Sequence, residues 1–175
     1  METLKHILLL APLSAAMLSA CTSRPVNTAD YRVVPLPQSI ELTAGAEPFV
    51  MSGKTALSVN PSDSAMMKNA ELFSGYIKDL TGIRLNTKQN QDRNVIKLRS
   101  ELPDSCSEAY DIRVYTDSIV VNGASPAGTF YGLQTLRKAI APDSTRSFNV
   151  AYPAAHYDAL EYNYARHTIV QPSGK

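Results

Sequence analysis

From Pro61 onward the apolar positions fall at Met66, Ala70, Phe73, Ile77 and Leu80, four and three residues apart. That spacing puts them on one stripe of an amphipathic helix. Ser62 or Asp63 is placed to cap its start and Gly82 its end. Elsewhere the period is close to two. "YRVVPLPQSIELTAG" predicts an extended approach through Pro35 and Pro37 and then an edge strand ending at Gly45, and "PFVM" and "TALSVN" predict two further short strands. "NVIKLRS", "AYDIRVYTDSIVVNG" and "SFNVAYP" are rich in β-branched and aromatic residues, and the middle one predicts a hairpin turning at Thr116 to Ser118.

A second helix is predicted over "GTFYGLQTLRKAI", residues 128–140, despite two glycines in its first half. Each glycine inside a helix costs about 1 kcal/mol relative to alanine, so something must offset the pair. At about 100° per residue, Thr129, Leu133, Leu136 and Ile140 form one stripe. Gly128, Gly132, Thr135 and Ala139 form a second stripe made only of small residues. Large apolar groups on the first can fill a core while the small strip lets another backbone come close, and dispersion at short range offsets the glycine cost. No GxGxxG or phosphate-loop spacing is present, so these glycines indicate packing and not a ligand. Tyr131, Gln134 and Lys138 remain for water or a second domain.

Several strands, a helix, a hairpin, a helix and a strand make an α+β fold, a mainly antiparallel sheet with two helices packed on one face. The 175 residues suit one domain and fall short of a (β/α)₈ barrel, which takes about 250. With 17 basic and 16 acidic side chains the chain lacks the electrostatic footprint of a nucleic-acid binder.

The first residues add a destination. "METLKHILLLAPLSAAMLSAC" has a basic start, an apolar run from Ile7 to Leu18 and small residues before Cys21, which is the pattern of an export signal. The run is too short for a membrane span of about 20 apolar residues. "LSAC" resembles the lipobox of bacterial lipoproteins, in which the cysteine becomes the first mature residue and carries the lipid. The expected organisation is a signal peptide over 1–20, lipidation at Cys21, a polar tether over 21–30, a domain over 31–155 and a divergent tail over 156–175. The product would be exported and lipid-anchored to a bacterial membrane, at the outer membrane or facing the periplasm. A lipidated Cys21 cannot pair with Cys106, the other cysteine, so the fold must stand without a disulfide.

Candidate chemistry is sparse. Cys106 has no histidine near it in sequence and is read as an unpaired loop residue. His156 and His167 lack an HExxH pattern and are read as surface residues, so no metal and no cofactor is expected. Glu101, Asp104, Glu108 and Asp111 are read as solvated loop and strand-edge acids, and none is assigned a catalytic role.

"EAYDIRVYTDSIVVNGASPAGTFYGLQTLRKAI", residues 108–140, closely resembles the non-catalytic N-terminal domain of family-20 glycoside hydrolases, the β-N-acetylhexosaminidases. "VVPLPQSIEL" is similar to that domain's usual opening. The resemblance covers about residues 31–155 and implies two helices lying between the domain's sheet and a following (β/α)₈ barrel. It implies removal of terminal β-linked N-acetylhexosamines by the substrate's own acetamido oxygen, with an Asp-Glu pair on the barrel. This chain has no adjacent Asp-Glu pair and no tryptophan. Where relatives carry a segment like "DxPRFxYRG", residues 158–167 keep Asp158, Tyr162 and Tyr164 but have Leu160 for the proline and Ala165 for the arginine, with Arg166 one position late.

The resulting expectation is an accessory domain of a β-N-acetylhexosaminidase, truncated before its barrel and inactive alone. Helix faces left without that barrel would promote self-association. The alternative is a stand-alone lipid-anchored module binding a glycan or a protein, against which nine scattered tyrosines form no aromatic cluster.

Overall fold

The computed structural model describes residues 26–34, 38–140 and 149–158. Cys21 and its leader, Pro35, Pro37 and the segment from 159 to Lys175, with Arg166 and His167, lie outside the described residues. The chain begins with β1 (Val26–Thr28), β2 (Ser39–Leu42), β3 (Phe49–Met51) and β4 (Ala56–Ser58). Helix α1 (Ser64–Thr81) follows, capped by Asp63, whose carboxylate accepts from the Ala65 and Met66 amides at 3.1 and 3.0 Å. It ends at Gly82, which takes the left-handed conformation at φ 73° and donates its amide to the Lys78 carbonyl.

Burial on α1 follows the predicted stripe except in the last turn. Met66, Ala70, Phe73 and Ile77 are buried, but Thr81 takes the final position and Leu80 is 37% exposed. The Thr81 hydroxyl donates to the Ile77 carbonyl at 2.8 Å and accepts from the Ile83 amide, so a polar side chain is fully satisfied where the chain turns into the core.

Strands β5 (Asn86–Thr87), β6 (Val95–Arg99), β7 (Tyr110–Val114) and β8 (Ser118–Gly123) come next, with β7 and β8 forming the predicted hairpin. Helix α2 (Pro126–Lys138) starts at Ser125, whose hydroxyl accepts from the Ala127 and Gly128 amides and donates to the Ser107 carbonyl. Proline is tolerated at its first position because no intrahelical partner awaits an amide there. The last described strands are β9 (Asn149–Tyr152) and β10 (Ala155–Asp158).

The fold is α+β with two mixed sheets. The larger runs β2-β10-β7-β8-β6-β4-β5, antiparallel from β2 to β8 and parallel from β8 to β5. The parallel half exists because the chain leaving β4 crosses back through α1 before β5 pairs beside β4. The smaller sheet runs β1-β9-β3.

Two stretches read as peripheral belong to these sheets. Val26 to Thr28, within the expected tether, pair parallel with β9. Residues 156–158, placed in the expected tail, lie in β10 between β2 and β7, inside the large sheet. Both pairings are between segments far apart in sequence, so no local period announces them.

The two helices run parallel. The Asn69 side-chain amide donates to the Pro126 carbonyl at 2.7 Å near their starts, and the Arg137 guanidinium lies 4.7 Å over the Tyr76 ring near their ends. The small sheet closes the end of the molecule where the helices finish. There the Asp30 amide donates to the Ala139 carbonyl, the Tyr152 hydroxyl donates to the Leu136 carbonyl at 3.0 Å, and Thr116 reaches the Glu47 carbonyl. Phe49, Met51, Val150 and Tyr152 of the small sheet therefore share one core with both helices and the large sheet. Complete burial of each such side chain contributes about 1.5–3 kcal/mol.

Candidate functional site

The small strip of α2 is sealed by the domain's own sheet. A Cβ at Gly128 would overlap the Ala109 carbonyl oxygen, in the backbone leading into β7. One at Gly132 would stand 2.6 Å from Val121 Cγ1 and 3.1 Å from Tyr110 Cδ2. Thr135 shares a 2.7 Å hydrogen bond with the Tyr110 hydroxyl, and Ala139, buried just past the last helical residue, accepts from Asp30. On the neighbouring stripe Thr129 donates to the Arg99 carbonyl at 2.6 Å, and Leu133, Leu136 and Ile140 are buried. The backbone that comes close, at Gly128, is that of Ala109 just before β7 and Gly123 of β8, while at Gly132 the Tyr110 and Val121 side chains fill the space, so no room remains there for a ligand.

Sealing that strip aims the rest of α2 outward. Phe130, Tyr131, Gln134 and Arg137 are each half-buried, with Tyr131 still packed against the core and its ring met edge-on by Phe130 at 5.7 Å. Lys138 is exposed and bonds the Val34 carbonyl at 2.9 Å. Beside them α1 contributes half-buried Tyr76 and two exposed leucines, Leu72 at 40% and Leu80, ringed by Lys68, Glu71, Lys78 and Asp79. An apolar, aromatic centre with a charged rim is the composition of a protein interface. No residue of this face has the geometry of a nucleophile and base.

The acids behave differently from one another. Glu101 and Asp104 are exposed and Glu108 half-buried, whereas Asp111, expected to be solvated, is 6% exposed. It alternates onto the face of β7 away from the helices, where Arg113 Nε donates to its Oδ2 at 2.9 Å and His156 Nε2 stands at 3.9 Å. Its charge holds the Arg113 guanidinium above its ordinary pKa. Asp111 Oδ1 has no hydrogen-bond partner. The sequence signal for this cluster was the Asp-x-Arg alternation, but the strand that supplies His156 was not foreseen. Among the described side chains this cluster holds one carboxylate, one salt-bridged arginine and a histidine, with no nucleophile and no second acid. Among the described residues no group of three histidine, cysteine or acidic side chains could hold a metal. Cys106 is half-buried in the loop before β7, its amide held by Asp104.

Among the described residues two open depressions stand out. A groove of about 750 Å³ runs between α1 and β5 past Met67, Lys68, Glu71 and Leu85. A crevice of about 400 Å³ lies at the carboxyl ends of β4 and β6, with Asn60, Asn90, Lys97, Arg99 and Glu101. Neither contains an aromatic side chain on which a sugar ring could stack.

Buried tyrosines mark where this scaffold is tightest. Burial raises the Tyr31, Tyr110 and Tyr152 hydroxyls above their ordinary pKa, and each hydroxyl is hydrogen-bonded. At the surface Asp30 is held at about 2 by its hydrogen bonds to Arg32.

The family model for glycosyl hydrolase family 20, domain 2, matches residues 30–154. Among solved structures, the N-acetyl-beta-hexosaminidase of Streptomyces plicatus in complex with Thio-NAglucal aligns over 73% of this chain with a TM-score of 0.60 and 22% identity. The GH20 beta-N-acetylhexosaminidase of Streptomyces coelicolor A3(2) aligns over 73% with a TM-score of 0.52 and 26% identity. The chitobiase of Flavobacterium johnsoniae aligns over 73% with a TM-score of 0.53 and 24% identity. The match spans 26%, 26% and 20% of those chains, so this chain corresponds to about a quarter of the first two and a fifth of the third. With the helix pair and the sealed small strip inside the matched residues, the chain belongs to glycosyl hydrolase family 20 and carries its domain 2.

Proposed function

We propose that this chain is the accessory domain of an exported, lipid-anchored β-N-acetylhexosaminidase acting on terminal β-linked N-acetylhexosamines, and that it has no turnover without a catalytic barrel. The observation that carries the proposal is the two-helix face. Once Gly128 and Gly132 are closed onto the sheet, Leu72, Tyr76, Phe130 and Arg137 remain as an incompletely covered patch with a charged rim. A (β/α)₈ barrel docked there would bury that patch, and its Asp-Glu pair would supply the acid and the acetamido-orienting group that this chain lacks. The domain's part is then structural: it fixes one side of the barrel and contributes no reacting group. The "LSAC" box supports lipid attachment at Cys21.

The stand-alone glycan-binding module receives no support from either depression, since both lack aromatic side chains. Sizing chromatography of the soluble chain, with and without a separately expressed barrel from a family-20 enzyme, tests the docking. The chain alone is expected to self-associate through the helix face and to move to a one-to-one complex when the barrel is added. Phe130→Glu should abolish the complex. A clean monomer that ignores the barrel would overturn the proposal.

A further inference from the structure

The small sheet lies close, in chain length, to the proposed lipid. Strand β1 starts at Val26, so only 26 − 21 = 5 residue steps separate it from Cys21. At 3.3–3.6 Å per extended residue the reach is at most about 18 Å. A domain of this size is roughly 35 Å across, so such a link cannot let it turn its far end to the membrane.

The near end has a surface suited to that position. Register places Thr28, Ala151 and Val50 in one row across β1, β9 and β3, with Val26 and Asn149 two residues away on the same face. The alternate positions Val150 and Met51 point into the core. The outward face thus carries no charged side chain; Val26 and Val50 on its edge strands are 56% and 41% exposed, and Ala151 at its centre is buried. Both helices finish at this end with an exposed lysine, Lys78 on α1 and Lys138 on α2. Of the acids at this end, Asp30 is paired with Arg32 at 2.7 Å, and Glu47 and Asp79 are exposed. An uncharged face flanked by cations fits a bilayer with acidic headgroups.

We propose that the outward face of the β1-β9-β3 sheet rests on the bilayer surface, held there by the five-residue link from a lipidated Cys21. This rests on the lipid-anchor reading given above. The crevice at the carboxyl ends of β4 and β6 then points away from the membrane, because the strands and helices run the length of the domain between the two ends.

The test uses the full chain, expressed in bacteria with its own leader and Cys106→Ser as the background. Single cysteines at Val50→Cys or Glu101→Cys carry a fluorophore, and the purified protein is reconstituted in vesicles containing acidic phospholipid and a headgroup-quencher lipid. Thr28→Cys replaces Val50→Cys if the latter does not fold. Quenching at position 50 is expected to be several-fold stronger than at 101, and a long Gly/Ser insert between Cys21 and Val26 should remove the difference. Equal quenching, or stronger quenching at 101, in protein that stays in the membrane fraction would overturn the proposal while leaving the anchor intact. A difference that survives the insert would overturn the role of the short link. Protein found in the soluble fraction with Cys21 unmodified would overturn the anchor itself and the proposal with it.

Discussion

Three glycines occupy helix positions in this domain, and replacing each by alanine separates the intrinsic cost of glycine from the space around it. Gly75, in the middle of α1, has nothing within 4 Å of an added Cβ. Gly75→Ala should therefore return the full propensity difference, stabilising the domain by about 1 kcal/mol. At Gly132 the same gain meets Val121 Cγ1 at 2.6 Å, inside any normal contact, and Tyr110 Cδ2 at 3.1 Å. Val121 is β-branched and fully buried in β8, so it cannot rotate away cheaply. Overpacking of this kind costs about 1–3 kcal/mol, which leaves Gly132→Ala between neutral and about 2 kcal/mol destabilising. At Gly128 the obstacle is the Ala109 carbonyl, a backbone group that also accepts the Ala124 amide, and the cost should reach the top of that range, about 3 kcal/mol. Urea unfolding of the soluble chain followed by circular dichroism reads all three against the unsubstituted protein. The order of stability should be Gly75→Ala, then Gly132→Ala, then Gly128→Ala. If Gly132→Ala gained as much as Gly75→Ala, the strip would not be sealed onto β7 and β8, and the outward assignment of Phe130 and Arg137 would fail with it.

Removing the cap in Asp63→Ala should cost about 1 kcal/mol in the same assay, whereas Asp63→Asn should keep most of it, because either side-chain oxygen can accept from the Ala65 and Met66 amides. Tyr31, Tyr110 and Tyr152 are raised above the ordinary value of 10.0 by burial, so the folded state holds these protons more tightly than the unfolded chain does. Stability should be complete below about pH 10 and fall as pH rises beyond it, with a lower unfolding midpoint at about pH 11 than at about pH 8. Tyr152→Phe should make that fall shallower, and a midpoint independent of pH across this window would contradict the burial.

Local signals account for what was legible before the fold was known. The α1 stripe, its Asp63 and Gly82 caps and the β7-β8 turn each depend on residues within a few positions of one another. The small strip was legible as a strip, but not its destination, because nothing near Gly128 in sequence names the Ala109 carbonyl. Strands β1 and β10 are built from unremarkable segments, "VNT" and "AHYD", that become strands only by pairing with β9, β2 and β7. Because no local period marks β10, neither the His156 neighbour of Asp111 nor the burial of that charge shows in the sequence. Leu80 and Thr81 show the same limit on a smaller scale. Hydrophobicity favoured the leucine, but the turn into Ile83 gave the buried position to the residue able to satisfy two backbone groups.

Docking of a family-20 barrel on the two-helix face is the proposal on which the function rests. The most direct measurement is turnover of an aryl β-N-acetylglucosaminide by a chimera in which residues 26–158 replace the corresponding domain of the Streptomyces plicatus enzyme. Docking predicts a soluble, active chimera that loses most of its activity on Phe130→Glu and keeps it on Glu101→Lys, at the far end of the domain. An inactive chimera that folds, or one in which Phe130→Glu is as active as the parent, would contradict it.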